Sequence, residues 1–231
     1  MISGGGSINA ANVAVGKGAH IADKHTVVAI ADSAAGEIAG DNEIAEVAVL
    51  AKSKTPDLQV WAGSDRATLA IVFTDILDST ATGQVLGDEA WRAVRLAHFE
   101  RSHELIEEYR GQEIKTIGDS FMVVFKSAAP ALDYAMALHA ETGHPKVRIR
   151  AGIHVGSIDV EDFDVFGSEV NFAARVIGKI ATAEIWLSDR AKKDLEVAGA
   201  KRHAVLHWER HDDVVLKGFE GSFVLWSLLN S

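Results

Sequence analysis

Residues 113–125 read EIKTIGDSFMVVF. Two short runs of strand-forming residues flank Gly118-Asp119, the residue types a tight turn between strands requires. The second run is continuously apolar and reads as a buried strand. The hairpin therefore seats two opposite charges, Lys115 and Asp119, at the rim of a buried strand. Charges in such a place need a partner or a ligand.

Working outward, TLAIVFTDIL at 68–77 reads as a second buried strand. GDEAWRAVRLAHFERSHELIEEYRG at 87–111 reads as a long helix closed by Gly111, with Trp91, Val94, His98, Leu105, Ile106 and Tyr109 recurring at steps of three and four. After the hairpin come a helix at 129–141 and a long strand, KVRIRAGIHVGSIDV, at 146–160. The order is βαββαβ, a ferredoxin-like α+β core. C-terminal additions follow: a helix SEVNFAARVIGKI at 168–180 with Ser168 as N-cap, a strand EIWLS at 184–188, a short helix at 189–197 and two late strands around RHAVLHWE and FVLWSLL.

Residues 1–67 differ in texture. They are rich in Gly, Ala and Val, with loosely similar stretches at irregular spacing. Short strands are expected over the first forty residues and a helix over DNEIAEVAVLAKSK, with Pro56 and KSKTPD as a junction. The division expected is an N-terminal segment of unknown role at 1–67 and one α+β domain at 68–231.

Composition narrows the function. The 231 residues carry 23 Lys plus Arg against 33 Asp plus Glu, a net charge of −10. That balance argues against an electrostatic grip on a nucleic-acid backbone or an anionic membrane. With 48% hydrophobic residues the chain can bury a real core. The absence of cysteine excludes disulfides, thiolate metal sites and cysteine nucleophiles. No basic leader precedes an apolar stretch and no run of about 18 apolar residues occurs, so a soluble, cytoplasmic protein is expected.

Asp75 ends one apolar strand and Asp119 lies in the turn between two others, so strand pairing can bring both carboxylates to one rim. Two oxygen ligands with open positions suit Mg²⁺ or Mn²⁺, although a turn aspartate can equally bond its own backbone. Two unliganded carboxylates would repel, so neutralising either is expected to leave stability largely unchanged. On SEVNFAAR, Asn171 and Arg175 are four apart and share one helix face.

Four blocks in order, FTDILDST, EIKTIGDSFMVVF, GIHVGSI and FDVFGSEVNFAAR, resemble the class III nucleotidyl cyclases, the adenylate and guanylate cyclase catalytic domain. The resemblance covers about residues 68–229. It implies that Asp75 and Asp119 bind two divalent ions, Mg²⁺ or Mn²⁺, and that Lys115 and Asp164 read the adenine edge. Asn171 and Arg175 match the transition-state pair. Lys217, in the looser match VVLKGFEG, matches the lysine that holds the terminal phosphates. The implied reaction converts a nucleoside triphosphate, ATP favoured, to its 3′,5′-cyclic monophosphate and pyrophosphate, for second-messenger signalling. The family shares residues between two chains, so a homodimer with two sites is also implied.

Other readings stay open. The chain also resembles stand-alone pyrimidine cyclases of bacterial antiphage signalling, which make cyclic UMP or cyclic CMP. A catalytically inactive cyclase-like module would bind nucleotide and regulate, though the loss of a metal aspartate or the arginine that would mark it is not seen. A polymerase-type palm shares the βαββαβ core, but the acidic chain lacks a basic track for a template. VAVGKG has Gly18 where a phosphate loop needs Ser or Thr and reads as a turn. His203, His207 and His211 flank an expected strand, AVLHW, on which four-residue spacing does not converge on a metal. His154 reads as a packed strand residue rather than a general base.

Overall fold

The computed structural model describes residues 57–199 and 201–229. The strands and helix expected within 1–56, the VAVGKG turn among them, lie outside the described residues. The described residues begin with α1 (Leu58–Ala62), whose N-cap Asp57 accepts from the Gln59 amide. Leu58 is buried in the core of the sheet that follows. Lys126 donates to the carbonyls of Trp61 and Ala62 at the other end of this helix, where the backbone dipole favours a cation.

β1 (Arg66–Ile76), α2 (Ser79–Leu86), α3 (Asp88–Glu108), β2 (Gln112–Ile117), β3 (Ser120–Phe125), α4 (Ala128–Ala140) and β4 (Ile149–Glu161) make up the βαββαβ unit. The additions are β5 (Asp164–Phe166), α5 (Ser168–Ile177), β6 (Ile185–Ser188), α6 (Asp189–Ala198), α7 (Lys201–Ala204), β7 (Trp208–Val214) and β8 (Phe223–Leu228). One sheet runs β2-β3-β1-β4-β6-β8-β7, with β5 paired to the end of β4. The first four strands stand in the ferredoxin-like order. Within this sheet only β4 and β6 are parallel.

Alternation along the strands splits the core into two layers. Ala70, Val72, Phe121, Val123, Ile153 and Val155 face α3, α4 and α6, whereas Leu69, Ile71, Met122 and Ile158 face the layer that holds α1 and Ala173 of α5. On α3 the expected stripe is present: Val94, His98, Leu105 and Ile106 are buried, and Trp91 and Tyr109 pack at its margin. His98 donates from Nδ1 to the Thr142 carbonyl at 2.9 Å, and burial holds its pKa below the ordinary imidazole range.

Three local expectations are corrected and one helix was not foreseen. A separate helix, α2, precedes the long one; it is short and has no fully buried residue, so it carries no apolar stripe to read. The left-handed turn after α3 is made by Arg110, φ 58°, not Gly111. Gly111 is required for another reason, because a Cβ there would come within 2.6 Å of the Phe125 ring. Gly167, φ 124°, caps α5, so Ser168 is its first helical residue and makes no capping bond. The strand expected around AVLHW is instead α7 followed by a loop: His203 is buried against Asp133, Val205 is exposed, and β7 starts only at Trp208. The apolar look of that stretch came from a valine the fold leaves in water.

α5 lies directly on β4. Gly152, His154 and Gly156 alternate onto the face that meets it. A Cβ on Gly152 would stand 2.7 Å from the Ile177 amide nitrogen, and one on Gly156 2.5 Å from the Glu169 Cβ. Only glycine at both positions lets helix and strand backbones come this close. Gly152→Ala is therefore expected to lower unfolding stability by about 1–3 kcal/mol, as overpacking does, because the neighbour that must yield is helix backbone. Urea denaturation of the two proteins measures the difference.

Candidate active site

The β2–β3 hairpin turns through Gly118 and Asp119, with Ile117 opposite Ser120. Gly118 has φ 67°, the left-handed conformation that favours glycine. The turn hands Ser120 to Asp75 at the end of β1: Ser120 Oγ donates to Asp75 Oδ1 at 2.7 Å. Asp119 stands next to that serine. Its Oδ2 is buried and has no hydrogen-bond partner among the described residues. A buried, unpartnered carboxylate oxygen is costly unless a cation joins it. The two aspartates thus fit a hard divalent ion, Mg²⁺ or Mn²⁺, whose remaining positions go to water and phosphate oxygens. Among the described residues no group of three or more His, Cys, Asp or Glu could form a fuller cage.

Asp75 is not a bare charge. Register places it opposite Arg150 on β4, and Arg150 donates from Nε to Asp75 Oδ2 at 2.9 Å, from Nη2 to the same oxygen, and from Nη1 to the Ile180 carbonyl at 2.7 Å. Arg150 and Ser120 are residues that reading the sequence missed. The only signal was the basic alternation in VRIRAG, and strand register cannot be read from it.

Lys115 and Asp164, 49 positions apart, meet: Nζ lies 2.6 Å from Oδ2, both side chains largely shielded. Asp164 Oδ1 also accepts from the Val165 amide at 2.8 Å, which fixes the carboxylate plane. Ile114 and Val165, the immediate neighbours, are buried in one layer and bring β2 and β5 together.

Asn171 and Arg175 lie on the exposed face of α5, opposite buried Ala173 and Val176, and make no hydrogen bond or ion pair with the described residues. Lys217 is exposed in the β7–β8 connection just before Gly218, φ 89°. The structure thus joins Asp75 to the Asp119 turn, and Lys115 to Asp164. It leaves Asn171, Arg175 and Lys217 open to solvent. His203, His207 and His211 fall on α7, a loop and β7; His203 bonds Asp133 and His211 stacks on Trp186 with ring centroids 4.3 Å apart. His154 is buried as expected, but it is also bonded at both ring nitrogens, to Ser188 and Glu169. Burial holds its pKa below the ordinary imidazole range.

Residues 64–230 match the family model of the adenylate and guanylate cyclase catalytic domain. The chain belongs to this family. It is similar to the pH-sensitive adenylate cyclase MT1302 of Mycobacterium tuberculosis, 32% identical over 131 residues, covering 55% of this chain and 32% of that protein. It is also similar to an adenylate cyclase of Streptomyces coelicolor, 29% identical over 138 residues, covering 57% of this chain and 36% of that protein. The chain thus spans well under half the length of these curated relatives. Its fold is that of the crystal structure of the adenylyl cyclase CyaB from P. aeruginosa, at a TM-score of 0.64 and 22% identity over 72% of this chain and 95% of that one. Among the described residues no helix is long and apolar enough to cross a membrane.

The two aspartates differ in what neutralising them does. Without divalent ion, Asp75→Asn strips Arg150 of its charged partner and is expected to cost about 1–3 kcal/mol of stability. The expectation that loss of either charge leaves stability largely unchanged took both carboxylates as bare, whereas Asp75 is paired with Arg150. Asp119→Asn removes a charge whose buried oxygen has no hydrogen-bond partner among the described residues and should leave stability unchanged or raise it by up to about 1 kcal/mol. Thermal melts in chelator distinguish the two.

Proposed function

We propose that the chain is a nucleotidyl cyclase that converts ATP to 3′,5′-cyclic AMP and pyrophosphate at sites shared between two copies of itself. The observation that carries this reading is the open face of α5. Asn171 and Arg175 project into solvent with no hydrogen-bond or ion-pair partner among the described residues, while Asp75 meets the Asp119 turn through Ser120 and is paired with Arg150, and a buried Asp119 oxygen has no hydrogen-bond partner among those residues. A second copy, placed by a two-fold axis, supplies to each half what it lacks, and symmetry then gives two equivalent sites.

Two divalent ions, Mg²⁺ or Mn²⁺, held by Asp75 and Asp119 would supply Lewis-acid activation of the ribose 3′-hydroxyl and charge neutralisation for the departing pyrophosphate. The bond that forms joins the 3′-oxygen to the α-phosphorus. The bond that breaks joins that phosphorus to the bridging oxygen of pyrophosphate, and the hydroxyl proton leaves to solvent. Arg175 neutralises charge that builds on the α-phosphate oxygens, a task for a guanidinium that is always protonated. Asn171 orients the ribose, and Lys217 holds the terminal phosphates.

Adenine offers an amino donor beside a ring-nitrogen acceptor. Asp164 accepts from the first and Lys115 donates to the second, each exchanging its 2.6 Å partner for the base. Guanine reverses that edge and would leave both groups facing like partners. Unpaired buried polar groups cost about 1–3 kcal/mol each, so ATP is favoured over GTP by on the order of tenfold to a hundredfold or more.

Shared sites are tested by complementation. Asp75→Asn and Arg175→Ala proteins should each be inactive alone. After equal mixing and subunit exchange, half the dimers are mixed and each holds one intact site of two, so activity should return to about one quarter of the parent. No recovery after verified exchange would mean that each chain builds its own site.

A further inference from the structure

We infer that Glu169, held by His154, is a positioning residue for Asn171 and Arg175: the pair fixes where α5 sits on β4 and thereby where those two side chains point. This rests on the cyclase reading of Asn171 and Arg175.

His154 is 3% exposed in the middle of β4. Its Nε2 lies 2.6 Å from Glu169 Oε2, in the first turn of α5, and its Nδ1 lies 2.8 Å from Ser188 Oγ, at the end of β6. Ser188 also caps α6, its oxygen accepting from the Ala191 amide at 3.2 Å. A carboxylate accepts, so Nε2 carries a proton and donates it to Glu169; a neutral ring then leaves Nδ1 to accept from the Ser188 hydroxyl, whose oxygen also receives the Ala191 N–H. Burial, which disfavours the charged imidazole, agrees with this neutral tautomer. A directed chain of hydrogen bonds therefore runs from the start of α6 through β6 and β4 to the start of α5.

The chain ends where position matters. Glu169 is two residues before Asn171 and six before Arg175 on one ten-residue helix. Its Cβ rests where Gly156 has none, and the far end of the helix rests on Gly152 in the same way. Phe172, one turn along, packs on the His154 ring with centroids 4.5 Å apart. Arg190, 3.6 Å from the same carboxylate oxygen and half exposed, is a second and weaker partner. No layer of side chains cushions α5 at Gly152 or Gly156, so a lost hydrogen bond at its first turn can be answered only by a shift of the helix itself. A displacement of about 1 Å at a reacting centre can cost on the order of a hundredfold in rate.

Steady-state kinetics of the full chain with ATP and Mn²⁺ test this, using Glu169→Ala, Glu169→Gln, Arg175→Ala and the Glu169→Ala/Arg175→Ala double variant. Glu169→Ala should lower kcat on the order of tenfold to hundredfold, with KM within about threefold, because the groups misplaced serve the transition state. Glu169→Gln should restore most of the rate, since its amide oxygen accepts the same N–H. With residual activity followed in single-turnover assays, Glu169→Ala should cost no more than about twofold further in the Arg175→Ala background. Parent-like kcat in Glu169→Ala, equal damage in the Gln variant, or fully multiplicative losses in the double variant would each overturn the positioning role. Parent-like activity in Arg175→Ala would instead sink the cyclase reading on which it rests.

Discussion

The seat of α5 on β4 is the constraint on which the rest of the site depends. A helix normally packs about 10 Å from a sheet through a layer of side chains. Here Gly152 and Gly156 remove that layer at two points four residues apart, one facing the end of the helix and one its beginning. His154 stands between them and fills the remaining gap with a bonded imidazole. The motif GIHVG is thus a mould for a helix. It also sets how the helix is turned: Ala173 and Val176 are fully buried under it, so Asn171 and Arg175 stay on its solvent face.

Charge placement follows from the same sheet. β1 and β4 run antiparallel in unbroken register from Arg66 to Ile76, and that register sets Arg150 opposite Asp75. The arginine does what a cation would do for one aspartate and leaves Asp119 uncompensated at one buried oxygen. The site is thereby stable without being closed: one carboxylate is satisfied, the other calls for a ligand. Lys115 and Asp164 use the same device, each neutralising the other in a largely shielded position.

Much of this could be read in the sequence because it depends on local pattern. Continuous apolar runs gave β1, β3 and β4, and a stripe at three- and four-residue steps gave α3. Four ordered motifs pointed to the family and to six candidate residues, with Lys217 from a looser match, and grouped Lys115 with Asp164 although 49 positions separate them; the bond between the two was not foreseen. What escaped was whatever depends on register or on contacts across elements. Arg150 faces Asp75 because of how two strands slide past each other. Gly111 is glycine because of the Phe125 ring, not because of its own backbone angle. His154 could be placed in the core from its apolar surroundings, but its partners Ser188 and Glu169 come from elements 34 and 15 residues away. Around 202–209 a β-branched residue suggested a strand, and the buried His203–Asp133 contact held a helical turn instead.

The central claim is that this chain cyclises a nucleoside triphosphate whose base is read by Lys115 and Asp164. Incubation with an equimolar mixture of ATP, GTP, CTP and UTP in the presence of Mn²⁺, followed by identification of the products by mass spectrometry, tests it most directly. Predominant 3′,5′-cyclic AMP, with pyrophosphate formed in equal amount, is the predicted result. Predominant cyclic UMP, cyclic CMP or cyclic GMP would contradict the assignment of the base-reading pair, and the absence of any cyclic nucleotide would contradict the cyclase itself.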